Sequence, residues 1–166
     1  MQKALRRIEG LRLEIHAHRS PVIVDKVRMG AYDVGICAGS SFGAQGLVSD
    51  PLRQEQMVLV SRKNSDTKEL ISIETNASTW KSISRHVKEQ GYRITRYQES
   101  YASAVNMATY GFGTTLAPEG IAKRMTRGYS KSMVLTQTGF TRPVSLVYRK
   151  SLLQNETFEA LRRHLI

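Results

Sequence analysis

The stretch that most constrains this chain is residues 105–118, VNMATYGFGTTLAP. Val105, Ala108 and Phe112 recur at helical spacing, so the stretch opens as a helix. Gly111 is placed to end it, because glycine takes positive φ without steric cost, and Gly113 adds a second hinge point. Thr114, Thr115 and Leu116 then read as a short buried strand, β-branched and closed by Pro118. Proline is tolerated in the first turn of a helix, where an N–H would go unpaired, so a further helix is expected over residues 119–125. The order helix, Gly-x-Gly, strand, proline, helix describes an α/β crossover with little room for side chains at its bend.

The rest of the chain keeps this alternation. Ala4, Leu5 and Ile8 form the apolar side of a short helix that Gly10 ends. Leu11, Leu13 and Ile15 alternate with Arg12, Glu14 and His16, the pattern of a half-exposed strand. Ser20 and Pro21 suit the N-cap and first turn of a helix that turns Ile23, Val24 and Val27 inward and stops at Gly30. Residues 32–38 are nearly continuous apolar sequence, as in a central parallel strand, and a glycine- and serine-rich loop follows over 39–46. Another apolar strand is expected at 57–61, then a polar linker and change of lobe at 62–69. A short strand at 70–73 leads to a loop around Thr75 and Asn76. Ser78 there caps a helix carrying Trp80, Ile83 and Val87 on one face. A strand at 93–97 precedes Ser100, the cap of the next helix. After the Gly-x-Gly segment come strands at 133–135 and 144–148 and a closing helix with Phe158, Leu161 and Leu165 on one face. Strands alternate with helices, so the expected class is α/β, with mainly parallel sheets flanked by helices.

Charge and composition exclude some classes. The 166 residues carry 25 Lys+Arg against 14 Asp+Glu, a net charge of +11. The basic residues are dispersed, without an aromatic-rich basic stripe or zinc-finger spacing, so a solvated basic surface is expected rather than a nucleic-acid groove. No apolar run approaches the ~20 residues needed to span a bilayer. The N-terminus shows no apolar signal region, which points to the cytoplasm. The single cysteine, Cys37, lies in an apolar run and reads as a small buried core residue.

Catalytic chemistry is hard to find. His16 and His18 have no third ligand at useful spacing, so no metal site is expected. Ser40 and Ser41 follow a glycine, but the surroundings are neither a nucleophile elbow nor a P-loop. Glu55, Glu74 and Glu99 are scattered carboxylates with no visible pairing. No enzyme activity and no cofactor are expected.

Three segments carry a resemblance. Residues 105–118 resemble the Gly-x-Gly-…-Pro segment late in the effector-binding domain of LysR-type transcriptional regulators. Residues 27–36, VRMGAYDVGI, resemble that family's Gly-x-x-Asp-hydrophobic turn. Residues 51–60, PLRQEQMVLV, resemble its Pro-Leu-x-x-Glu-x-hydrophobic strand. All three occur in family order, and residues 142–149 with the closing helix match the family's ending. The resemblance implies a two-lobed fold of the type 2 periplasmic-binding-protein kind. Lobe I would be residues 1–62 and 141–166, and lobe II residues 63–140. The family's winged helix, linker helix and first lobe I strand are not matched. The chain is therefore expected to be a fragment or a truncated gene product, with DNA reached only through a domain outside it. The resemblance further implies a homodimer or higher homo-oligomer and no membrane partner.

Ligands of open α/β sheets sit beyond the C-terminal ends of the strands. The loops there supply His18, Arg19 and Ser20, then Ser40 and Ser41, then Thr75 and Asn76, then Glu99, Ser100 and Tyr101. Several open a helix, whose N–H groups and positive dipole end suit a carboxylate or phosphate. Ser20, Ser78 and Ser100 each have a second reading, in which the serine only caps its own helix. The function expected is a sensing module for a small anionic effector. The alternative is a solute-binding protein or small-molecule enzyme on the same fold.

Overall fold

The computed structural model describes residues 8–39, 46–73, 84, 85 and 87–166. The chain divides into two compact units, Met1–Gln54 with Pro143–Ile166, and Glu55–Arg142. Both divisions fall inside long strands, because β2 spans Leu47–Arg62 and β6 spans Met133–Arg149. Residues 63–68, by contrast, form a turn and an irregular stretch within the second unit, with Asn64 at φ 62°.

In the first unit, helix α1 (Ser20–Arg28) packs on strand β1 (Val34–Ala38). β1 pairs antiparallel with the end of β6, from Val34 opposite Tyr148 to Ala38 opposite Val144. Val24 and Val27 of α1 are buried with Cys37, Leu47 and Val147, and Ile23 and Tyr32 pack against them. Gly35 permits this contact: a Cβ there would stand 2.4 Å from Cγ2 of Ile23. On a second cluster, helix α4 (Glu156–Leu165) lays Phe158 against Leu146 and Tyr148, with Leu165 alongside. Asn155 caps α4, its side chain accepting from the Phe158 N–H at 2.9 Å. Tyr148 and Arg162 both donate to Oδ2 of Asp50, at 2.8 and 2.7 Å.

The second unit holds β3 (Glu69–Ile73), β4 (Arg93–Gln98), α2 (Tyr101–Thr109), β5 (Thr114–Pro118) and α3 (Glu119–Thr126). Val58, Val60, Ile71 and Ala117 form one cluster with Ala104, Val105 and Ala108 of α2 and Ala122 of α3. Their chain neighbours Met57, Leu59, Leu70 and Leu116 form another, with Val87. Successive strand residues point to opposite faces, so an unbroken apolar run is what a strand covered on both faces requires. Gly113 (φ 142°) returns the chain from α2 to β5; a Cβ there would lie 2.9 Å from the Glu69 carbonyl oxygen.

Several expectations need correction. The sheet is mixed rather than mainly parallel. Strand neighbours run β1-β6-β2-β5-β3-β4. β3 is parallel to β4 and β5, but β1–β6 and β2–β5 are antiparallel. Apolar runs report burial on two faces, and strand direction is set by the connections. Residues 11–15 form no strand, and Leu13 and Ile15 are exposed by 51% and 85%. An alternating pattern becomes a strand only beside a hydrogen-bonding neighbour, and none of the described strands pairs with it. The two late strands expected at 133–135 and 144–148 are one strand, β6, carried through a polar middle by backbone pairing. Ala4, Leu5, Ser78, Trp80 and Ile83 lie outside the described residues.

Candidate functional site

The expected site residues that are described fall into two groups, one in each unit. In the first unit, Arg19 is the N-cap of α1 and Ser20 its first helical residue, with Pro21 behind it in the first turn. Ser20 is thus not the cap of its own helix. Its Oγ accepts from the Ala38 N–H at 3.0 Å and so ties the start of α1 to the C-terminal end of β1. A hydroxyl that accepts in this way still has its own proton to donate. Beside it, Cys37 is fully buried and points at the Ser20 carbonyl oxygen at 3.9 Å; burial pushes its thiol up to about 11.

His18 is exposed, with Nε2 3.0 Å from the Tyr32 hydroxyl. The rings of His16 and His18 lie 5.2 and 6.2 Å from that of Tyr32, at 12° and 22°. His16 also meets Glu14 at 2.8 Å. Among the described residues no three His, Cys, Asp or Glu side chains form a metal-binding group.

In the second unit, Glu99 is exposed and Ser100 caps α2, accepting from the Ser103 N–H at 3.1 Å. The two hydroxyls are 2.8 Å apart; if Ser103 donates, the Ser100 proton is directed elsewhere. Tyr101, the first residue of α2, is half-buried, and the Arg142 guanidinium sits 4.9 Å from its ring centre. Burial pushes the Tyr101 phenol above its ordinary value, against the opposing pull of Arg142. Arg142 donates from Nε and Nη2 to one oxygen of Glu55, at 2.9 and 2.6 Å. Glu55 is therefore paired, contrary to the sequence reading. Its partner is 87 positions away on another strand, a separation that no spacing rule detects. Ser40, Ser41, Glu74, Thr75 and Asn76 lie outside the described residues.

The start of α1 is thus pinned to a strand end by a serine hydroxyl, and the start of α2 is capped by a serine and braced by an arginine. In both units a helix N-terminus follows an extended segment and presents hydroxyl and N–H donors. Such ends stabilise negative charge, so each half could contact an anion.

The sequence model of the LysR substrate binding domain matches residues 1–166. The chain belongs to the LysR substrate binding domain family. It is 26% identical over 152 residues to an uncharacterized HTH-type transcriptional regulator of Vibrio cholerae serotype O1, covering 89% of this chain and 52% of that protein. The chain thus spans about half the length of the curated relative it matches. Its fold is similar to that of the reduced regulatory domain of OxyR2 from Vibrio vulnificus (TM-score 0.75, 20% identity, 96% of this chain and 83% of that chain). It is likewise similar to a reduced form of OxyR from N. meningitidis (TM-score 0.76, 18% identity, 99% and 85%). The apo regulatory domain of HypT from Salmonella typhimurium also matches (TM-score 0.75, 13% identity, 98% and 85%). The fold is accordingly the mixed α/β, periplasmic-binding-protein-like fold of LysR regulatory domains, and the chain is an effector-binding domain of that kind.

Proposed function

We propose that this domain senses a small anionic metabolite, held between the two lobes that the LysR resemblance implies. Lobe closure would be passed to a DNA-binding domain outside residues 1–166. The observation that carries this reading is the family match over the whole chain. The donors at the starts of α1 and α2 support the anionic character of the ligand. Arg19 and the net charge of +11 would raise the local anion concentration. A ligand held between lobes would favour their closure, and closure is a change that a regulator can transmit. In this reading the domain works in the cytoplasm, without catalysis, metal or cofactor. Among the described residues no helix is long and apolar enough to cross a membrane.

The experiment is calorimetric titration of a panel of aromatic and aliphatic carboxylates. One panel member should bind the wild type, and Ser20→Ala and Ser100→Ala should each weaken it several-fold. Specific binding that both substitutions leave unchanged would place the site elsewhere. Self-association belongs to the same proposal: the exposed apolar side chains of residues 11–15 would be covered in a dimer. Sedimentation at high micromolar concentration should give a dimer, and a monomer there would refute it.

A further inference from the structure

We infer that one end of the second unit binds single-stranded nucleic acid, through cations that the fold gathers beside two exposed aromatic rings. The basic residues are scattered along the sequence, and strand direction brings some of them together. β2 runs antiparallel to β5, with Val60 opposite Thr115, so β2 ends at Arg62 where β5 begins. The Gly-x-Gly bend enters β5 at that same end. A Cβ on Gly111 would stand 3.3 Å from Cδ of Arg62 and 3.5 Å from its Nη1. The Arg62 side chain therefore lies against the bend that carries Tyr110 and Phe112, which are 65% and 53% exposed.

Two further cations arrive here as the chain leaves α3. It makes a single 3-10 turn, Arg127–Tyr129, before β6. The Tyr129 carbonyl accepts from the Ser132 N–H at 2.9 Å, and the Ser132 carbonyl accepts from the Lys63 N–H at 2.7 Å. The segment holding Arg127 and Lys131 is thus fastened to the end of β2. Arg62, Lys63, Arg127 and Lys131 are all exposed, and none is in an ion pair among the described residues. Across residues 62–68, 107–115 and 124–134 the chain has six Lys and Arg and one carboxylate, Asp66, so this end is strongly positive.

The arrangement selects the partner. A protein interface gathers its apolar groups into a centre with a polar rim. Here the two rings flank the glycine against which Arg62 lies, so ring and charge alternate. A single strand presents the matching alternation, a phosphate and a base at every nucleotide. Its phosphates would take the cations and its bases would stack on the rings. An acidic peptide would use the cations and leave the rings idle.

The test is fluorescence anisotropy of a short labelled oligothymidylate titrated with the 166-residue chain at low salt. Binding is expected, with log affinity falling against log salt at a slope of about −3, as four phosphate contacts on a single strand require. Arg62→Glu with Arg127→Glu should weaken it about tenfold or more and make the slope shallower. Lys150→Glu with Arg163→Glu, at exposed positions of the first unit, makes the same change in net charge and should weaken it by no more than about twofold. Tyr110→Ala with Phe112→Ala should weaken it about fivefold or more. Four outcomes would overturn the inference: no binding at low salt, equal losses from the two charge reversals, no loss on removal of the rings, or displacement by polyglutamate as effective as by unlabelled oligothymidylate at equal charge. The last would mark an acidic protein partner. Should a variant fail to fold, amide NMR of the wild type decides: oligothymidylate should shift Lys63, Gly111 and Lys131, and shifts confined to other residues refute the site.

Discussion

Cys37 shows how one residue's surroundings decide its chemistry. It is fully buried between α1 and β1, and the lost hydration of its thiolate holds its pKa near 11. The thiolate is the reactive form, so at neutral pH only about one thiol in 10⁴ is available. A thiol-titrating disulfide reagent should leave the native protein unmodified over minutes and modify Cys37 fully once urea unfolds it. The same shift carries a pH signature. The folded pKa lies above the 9.0 of the unfolded chain, so between pH 9 and 11 the folded state binds more protons than the unfolded state. Stability is therefore full below pH 9 and falls as pH rises through that window. Cys37→Ala should flatten this limb in urea melts run at several pH values, although it lowers stability at pH 7 by its cavity. An equally steep limb in the variant would show that other groups carry it. The apolar run around it pointed to a buried cysteine; the size of the shift depends on the packing around it.

The same scale explains what the site reading could and could not foresee. Ser100 is an N-cap, as its position before an amphipathic run implies. Ser20 precedes a proline in the same local pattern, yet its hydroxyl reaches the Ala38 N–H, 18 positions on. A cap is a local hydrogen bond and can be read locally. A bond between elements depends on how α1 settles on β1. The Glu55–Arg142 pair is the extreme case, joining β2 and β6.

At the scale of elements, two glycines and one ion pair make the packing testable. Gly113→Ala brings a Cβ to 2.9 Å from backbone at a φ of 142°, so neither partner can yield cheaply. It should destabilise by about 2–4 kcal/mol, read as a lower denaturation midpoint. At Gly35 the obstacle is a side-chain methyl of Ile23. Gly35→Ala and Ile23→Ala should each destabilise, and the double variant should lose less than the sum of the two. Strict additivity in that cycle would mean that α1 and β1 do not meet as described. The Arg142 side chain, 13% exposed, joins Glu55 to the Tyr101 ring at the start of α2. Arg142→Met should cost about 1–3 kcal/mol and speed hydrogen exchange at Ala104 and Val105 more than at Phe158. Arg142→Lys should restore little, because an ammonium cannot donate from two fixed positions to one oxygen and still cover the ring.

For the whole molecule, the net charge of +11 sets how the chain meets polyanions. The basic residues are dispersed and several are already paired, as Arg28 with Asp25, Lys123 with Glu119 and Arg162 with Asp50. Binding of duplex DNA by these residues alone should show no sequence preference and fall steeply as salt rises. A gel shift that is sequence-selective and resists salt would contradict this.

What the sequence determined by itself is what local physics governs. The Gly-x-Gly bend, the runs over 34–38 and 57–60, the Ser100 cap and the amphipathic face of the last helix all follow from backbone freedom, two-sided burial and nearest-neighbour bonds. The order of the three LysR-like segments was equally legible, because it is a property of the chain as written. Only the tertiary structure decided the rest. Whether a strand runs parallel or antiparallel depends on which neighbour it meets, and periodicity carries no direction. Residues 11–15 have the alternation of a strand without one, since a strand is a relation between two segments. The two strands that run from one unit into the other, β2 and β6, are long because each is paired beyond its apolar part. Hydrogen bonds between backbones do not depend on side-chain identity, so their extent leaves no mark in the sequence.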